Sequence, residues 1–373
     1  MLTEQSRITD FPSLAGRTYL NTAAEGIPPV CVTDALAQYA QDKVLGMDGR
    51  PLHETQWQSA RSLVAEFYGL SSDEIGICSC SSEAYNLAAM ALQLKDGDEV
   101  IVNDLDFPAG ATPWLQPVCP AEVKVWRSNE WALRVEDLIP LLSTRTRIVT
   151  VSLVSFFNGF KVPLQELAEA VRENSDALLA VDVTQALGRV PLDLNGADLI
   201  VSSTHKWILA SHGGGLVGVP SARAAELTTT AGGWFNLQDP FRENRFDGAA
   251  SKPGAASFMV GMPSYSAVYA INAGLNYIKG VGVENIEQQT RPLVMKCLEG
   301  IRRFPVERIT PDNPESIAGI LAFRHPDAER VRDYLRSKDI HVMCQAGRMR
   351  VAIHGYNTME DVEQLLAALA EVL

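Results

Sequence analysis

Between residues 99 and 220 the chain alternates short apolar runs with longer stretches where apolar and polar positions mix. EVIVND (99–104), RIVTVSLV (147–154), ALLAVDV (177–183) and ADLIVSS (197–203) are nearly unbroken and rich in β-branched residues. Runs of this kind predict strands buried on both faces, as in a parallel sheet covered by helices. GGGLVGVP (213–220) closes the series. LQELAEAVREN (164–174) instead spaces its apolar residues by three and four, which predicts a surface helix, and Pro163 suits its start. Together these are βαβ units. After about residue 255 the texture changes. PSYSAVYAINAGLNYIKGVG (263–282) predicts one long helix, IAGILAFRH (317–325) a strand and DAERVRDYLRSK (327–338) a helix. IHVMC and RMRVAIHG follow as a strand pair, and TMEDVEQLLAALAEVL as a terminal helix. The expected architecture is α/β: a large domain over 15–255 with a mostly parallel central sheet, and a small α+β domain from 1–14 and 256–373.

Composition narrows the function classes. The chain has 373 residues, 46% hydrophobic and 21% charged, which is ample for a globular core. A net charge of −13 argues against nucleic acid as a partner, because phosphate neutralisation needs basic patches. No apolar run approaches the roughly 20 residues that a membrane helix needs. The opening MLTEQSRITDF is polar and of mixed charge, unlike a signal or transit peptide, so a cytoplasmic location is expected. The six cysteines show no CxxC spacing, since one residue separates Cys78 from Cys80. With no Cys/His ligand cluster along the chain, no metal is expected.

The segment VDVTQALGRVPLDLNGADLIVSSTHKW (181–207) carries the candidate chemistry. Asp182 closes one apolar strand and Gln185 follows in the turn. A second strand ends in Ser203, Thr204, His205 and Lys206. In a doubly wound sheet both strand ends open on the same crevice, so a carboxylate and a lysine converge there. Pyridoxal 5'-phosphate (PLP) requires this pair. A buried aspartate keeps the pyridine nitrogen protonated, and a partly desolvated lysine holds the aldehyde carbon as a Schiff base. Gln185 can donate to the ring hydroxyl, and Ser203 and His205 can bind phosphate oxygens. Displaced by substrate, Lys206 is the base beside the substrate Cα. A strand-end turn and a solvated loop would explain Asp182 or Lys206 singly; the joint pattern, followed by Gly213, Gly214 and Gly215, favours the cofactor.

These residues resemble the class V aminotransferases, a family that includes cysteine desulfurases, selenocysteine lyases and isopenicillin N epimerase-like proteins. YLNTAAEGIPP (19–29), CSCSSEAYNLA (78–88), VDVTQ, SSTHK and RMRVAIHGYNTMEDV (348–362) carry the resemblance over nearly the whole chain. It implies PLP fold type I and a homodimer with active sites at the subunit interface. It implies that Ser81 and Ser82, at a helix start, seat the phosphate, and that Arg350 takes the carboxylate of an α-amino acid substrate. Arg348 alternates onto the same face as Arg350.

The chain also departs from that family. Only five residues separate Cys344 from Arg350, leaving no room for the mobile loop that carries the desulfurase cysteine, although Cys344 can still line the pocket. Where relatives stack a histidine on the ring, DLDFPAGATPW offers Phe107 or Pro108, and Phe107 is as readily plain core. Leu153 replaces an asparagine near the ring hydroxyl. SFFNGFKVPL brings Asn158 as a substrate-side candidate, against the simpler reading of an Asn-Gly turn. Met262 stands where relatives reach the partner's phosphate. GGWFNLQDPFRENRFDG (232–248) reads as a loop near the active-site mouth, with Trp234 and Phe235 as candidate contacts. The expected activity is an aminotransferase or C–S lyase. Alternatives are an epimerase or racemase, a non-catalytic PLP-fold scaffold, and a PLP-independent enzyme using His205 as base.

Overall fold

A computed structural model describes residues 2–373. The N-terminal part runs through helix α1 (Glu4–Asp10), strand β1 (Thr18–Tyr19) and two long helices, α2 (Val30–Lys43) and α3 (Arg50–Tyr68). Seven strands then build the central sheet: β2 (Ile75–Cys78), β3 (Glu99–Asn103), β4 (Glu122–Trp126), β5 (Thr146–Ser152), β6 (Leu178–Asp182), β7 (Leu199–Ser203) and β8 (Gly215–Gly218). Their order is β2-β8-β7-β6-β5-β3-β4, parallel throughout except that β8 runs antiparallel to both neighbours. Interleaved are α4 (Ser81–Leu92), α5 (Pro108–Ala111), α6 (Val135–Leu138) and α7 (Leu164–Asn174).

The unbroken apolar runs divide by alternation into two cores. Ile101, Val149, Val151, Leu179, Val181 and Ile200 face one side, with α3 and α7. Val100, Val102, Ile148, Leu178, Ala180 and Val201 face the other, with α4. A sheet covered on both faces favours apolar residues on both sides of its central strands, which is why these segments read as nearly continuous hydrophobic stretches.

Helix α8 (Tyr265–Val281) corrects the expected boundary. It packs on α2 and α3, and its Tyr265, Val268, Ile271 and Leu275 belong to the same core as the central sheet. The C-terminal unit begins beyond it with α9 (Val283–Ile301). Strands β9 (Glu307–Arg308) and β10 (Ile320–Arg324), helix α10 (Ala328–Ser337), and strands β11 (Ile340–His341), β12 (Met343–Gln345) and β13 (Arg348–Ala352) follow, then helix α11 (Met359–Val372). An antiparallel sheet of order β12-β13-β10-β9 forms, while β11 pairs with β1. Met349 and Val351 of β13 pack into the core of α9, α10 and α11. Arg348 and Arg350 alternate to the opposite face.

Candidate active site

Strands β5, β6 and β7 end at Ser152, Asp182 and Ser203, and a cleft of about 180 Å³ opens over these ends. Asp182, Thr184, Gln185, Ser203, His205 and Lys206 line it. The Asp182 carboxylate accepts a 2.7 Å bond from the Thr184 N–H, and burial raises its pKa. Lys206 is 8% exposed. Burial pushes its amine down to about 8, with Asp182 opposing and Arg350 reinforcing that shift. At neutral pH an appreciable share of such an amine is the free base, the form that attacks a carbonyl. The Phe107 ring lies over the Lys206 Nζ at 5.1 Å and is 42% exposed in the cleft. It is a cleft wall and not core.

The lysine loop is clamped from two distant segments. Gly26 donates its N–H to the carbonyl of His205 at 2.8 Å, and a Cβ there would run into the Lys206 carbonyl. His354 lies just past β13 and is fully buried. Its Nδ1 accepts from the Gly355 N–H at 2.7 Å, so its Nε2 carries the proton and donates to the Trp207 carbonyl at 2.8 Å. Burial holds this imidazole at about 3, far below its usual 6.5. A base whose folded-state pKa is depressed gives stability that is complete above about 6.5 and lost as pH falls towards 3. Acid unfolding of wild type is therefore expected to steepen below pH 6.5. His354→Asn should flatten that limb in circular dichroism melts; an unchanged pH profile would rule the contribution out.

At the other end of the cleft, Cys80 precedes α4 without making a side-chain cap. The first-turn N–H groups of that twelve-residue helix thus face the cleft at its positive end, an anion seat. Ser81 and Ser82 line it, and the Ser203 hydroxyl donates to the Ser81 Oγ at 2.9 Å. Glu83 does not cap; it accepts from the Ser79 N–H at 2.6 Å and steadies the turn. Strand β8 passes so close that a Cβ on Gly215 would collide with the Cys80 backbone, which accounts for that glycine.

The family model for class-V aminotransferases matches residues 18–365. The chain belongs to the class-V aminotransferase family. An uncharacterized aminotransferase of Bacillus subtilis is 27% identical over 367 residues, covering 96% of this chain and 95% of its own. A probable cysteine desulfurase of Methanothermobacter thermautotrophicus is 26% identical, with 100% and 98% covered. Among solved structures, the apo cysteine desulfurase from Thermococcus onnurineus NA1 matches with TM-score 0.90 at 22% identity, covering 100% of this chain and 98% of its own. A cystine C-S lyase in complex with its product cysteine persulfide matches with TM-score 0.86 at 21%, covering 97% and 99%. The architecture is accordingly PLP fold type I.

In this class-V enzyme, Arg350 stands beside the cleft and not in its lining. Its Nη1 donates to the carbonyl of Phe156, a lining residue, at 2.9 Å, and its buried Nε has no partner among the described residues. Burial, then Arg348, lowers the guanidinium to about 9, so it stays charged at neutral pH. Gln185 lines the cleft, but its amide is largely engaged, donating to the Ala23 carbonyl and accepting from the Trp207 indole N–H.

Several expectations are corrected. Asn158 is fully buried away from the cleft. Its amide donates to the carbonyls of Trp131 and Ile309 and accepts from the Phe160 N–H, and Gly159 has φ +82°, so the Asn-Gly turn prevails. Cys344 pairs with Met349 across the β12–β13 register and packs with the C-terminal core, on the face opposite Arg350; it cannot line the pocket. Trp234 and Phe235 pack with Phe241, Trp57 and Lys252, outside the cleft lining. The fold also assembles a ligand cluster that linear spacing hides: Glu25, His205 and His212 offer ligand atoms all within 4.8 Å of one another. Sequence reasoning missed Phe156 and Thr184 in the lining, and the clamp by His354. The HGYNT segment was the only signal of that clamp.

Proposed function

We propose that this enzyme carries PLP on Lys206 and acts on an α-amino acid as an aminotransferase or C–S lyase. The observation that carries the reading is the convergence of a buried lysine with a lowered pKa, a buried carboxylate and an uncapped helix start on one cleft. PLP, when bound, supplies an electron sink for the carbanion at the substrate Cα. The protein groups divide the remaining work. Asp182 holds the ring nitrogen's proton. The α4 N-terminus, Ser82, Ser203 and His205 hold the phosphate, with His205 pushed down to about 4 by burial and Lys206 and thus a neutral ligand. Phe107 covers one ring face; having no proton to give, it leaves acid–base work to Lys206. Arg350 orients the substrate carboxylate through its planar fork.

The placement of Cys344 removes the one candidate for a persulfide carrier near Arg350, which speaks against sulfur transfer to a protein acceptor. Epimerisation stays as the alternative, because it needs the same proton transfer at Cα. A panel of amino acids, assayed for amino transfer to added 2-oxo acids, sulfide release and racemisation, separates the three. Absence of all three activities across the panel would return the scaffold reading. Arg350→Lys keeps the charge and loses the fork, so KM for the amino acid should rise roughly 10- to 100-fold with a smaller change in kcat. An unchanged KM would remove Arg350 from this role. The assembly is proposed to be a homodimer in the cytosol. Strongly exposed apolar side chains such as Val44, Met47 and Phe246 support the dimer, and no described helix is long and apolar enough to cross a membrane.

A further inference from the structure

Two guanidinium groups stand side by side on β13 without an acid to neutralise them. Arg348 and Arg350 are each 4% exposed, lie two residues apart on one strand face, and both donate through Nη1 to the Phe156 carbonyl, at 3.5 and 2.9 Å. Arg348 also donates to the Phe157 carbonyl at 2.5 Å. No carboxylate among the described residues reaches either one. Arg324, opposite Arg348 in the β10–β13 register, has its own partner in Glu307 at 3.6 Å. Burying a cation unpaired is costly, and two adjacent ones compound the cost; such groups are retained where an anion completes them. The α-carboxylate of an amino acid completes Arg350 alone.

The surroundings of Arg348 are built to hold it in place. Its guanidinium lies 4.2 Å from the Phe157 ring centroid and 5.3 Å from that of Phe156. Trp131 stacks on Phe157 and is delivered by a tight turn in which Glu130 and Trp131, neither of them glycine, take φ of 50° and 67°. Left-handed backbone at two successive side-chain-bearing residues is unfavourable and persists where the surroundings enforce it. Among the described residues the Nε and Nη2 of Arg348 donate to no protein acceptor, unlike its Nη1.

We propose that Arg348 is a specificity-determining residue that receives a second anionic group of the substrate, so that the enzyme prefers acidic, dicarboxylic amino acids. This inference rests on the reading that an α-amino acid bound beside Lys206 is the substrate. The enzyme reconstituted with PLP is titrated with aspartate against asparagine and glutamate against glutamine, following the visible absorption change. Wild type should bind each acid at least about tenfold more tightly than its amide, as a charge-assisted bidentate contact implies. Arg348→Met should abolish that preference by weakening the acids alone, and Arg348→Lys should restore part of it. Equal affinity of wild type for acid and amide would overturn the proposal without any variant. So would an Arg348→Met protein that weakens both classes alike, the result a purely structural arginine would give. Cofactor-free protein offers an independent reading: succinate should raise its melting temperature more than acetate at equal concentration, and the difference should vanish in Arg348→Met. A colourless protein that cannot take up PLP would count against the PLP reading, while the succinate result would still decide whether Arg348 seats a second anion.

Discussion

Lys206→Ala is expected to lose the yellow, borohydride-sensitive absorbance of the wild-type protein and to turn over amino acids at least about 10³-fold more slowly. On the proposed reading two functions vanish together: the amine that would hold the cofactor's aldehyde carbon, and the base that would move the Cα proton. Positioned proton transfer alone contributes roughly 10²–10⁴-fold. No nearby group replaces it. His205 is held near pKa 4, the wrong range for a base recovering its proton at neutral pH, and Phe107 has none. The fold should survive, since Lys206 makes no ion pair and truncation relieves a buried amine. Visible spectra before and after borohydride, with far-UV circular dichroism as control, check this. An alanine variant retaining the absorbance would place the anchor elsewhere.

The second large effect is expected from Asp182→Asn, and its diagnostic feature is that stability and turnover move in opposite directions. In the cofactor-free protein the carboxylate is desolvated, which raises its pKa and makes its charge costly. An asparagine of the same shape keeps the acceptor for the Thr184 N–H and removes that cost, so the melting temperature of the cofactor-free variant should hold or rise. If Asp182 holds the cofactor's ring nitrogen as proposed, the same substitution would strip that nitrogen of its counter-charge. Losing one partner of a buried ion pair costs about 3–5 kcal/mol, so turnover should fall roughly 10²–10⁴-fold. A variant that is both less stable and fully active would mean that Asp182 is a strand-end cap only.

Much of this site was legible because its chemistry is compressed into one stretch of chain. Residues 181–207 hold two adjacent parallel strands whose ends must open on one crevice, so Asp182, Ser203 and Lys206 converge by topology alone. Helix α7 was legible to the residue, because its periodicity is unambiguous. Strand β4 was not: it is an edge strand with half-exposed residues and Lys124, so the continuous apolar signature is missing. Helix α8 was legible as a helix but misplaced between domains, because an apolar helix does not reveal which core receives it.

By itself, the sequence determined the elements and the local chemistry: the strand ends, the serine-rich helix start and the lysine with its upstream aspartate. Only the tertiary structure decided which residues of distant segments face the cleft. It turned Asn158 inward onto three backbone groups and put Cys344 on the far side of β13. It set His354 and Gly26 against the lysine loop, and it left Arg348 and Arg350 together without an acid. The physical reason is that periodicity records only whether a side chain is buried. What a buried polar group meets there is settled by the packing of segments against one another, because each such group must find its partner within that packing.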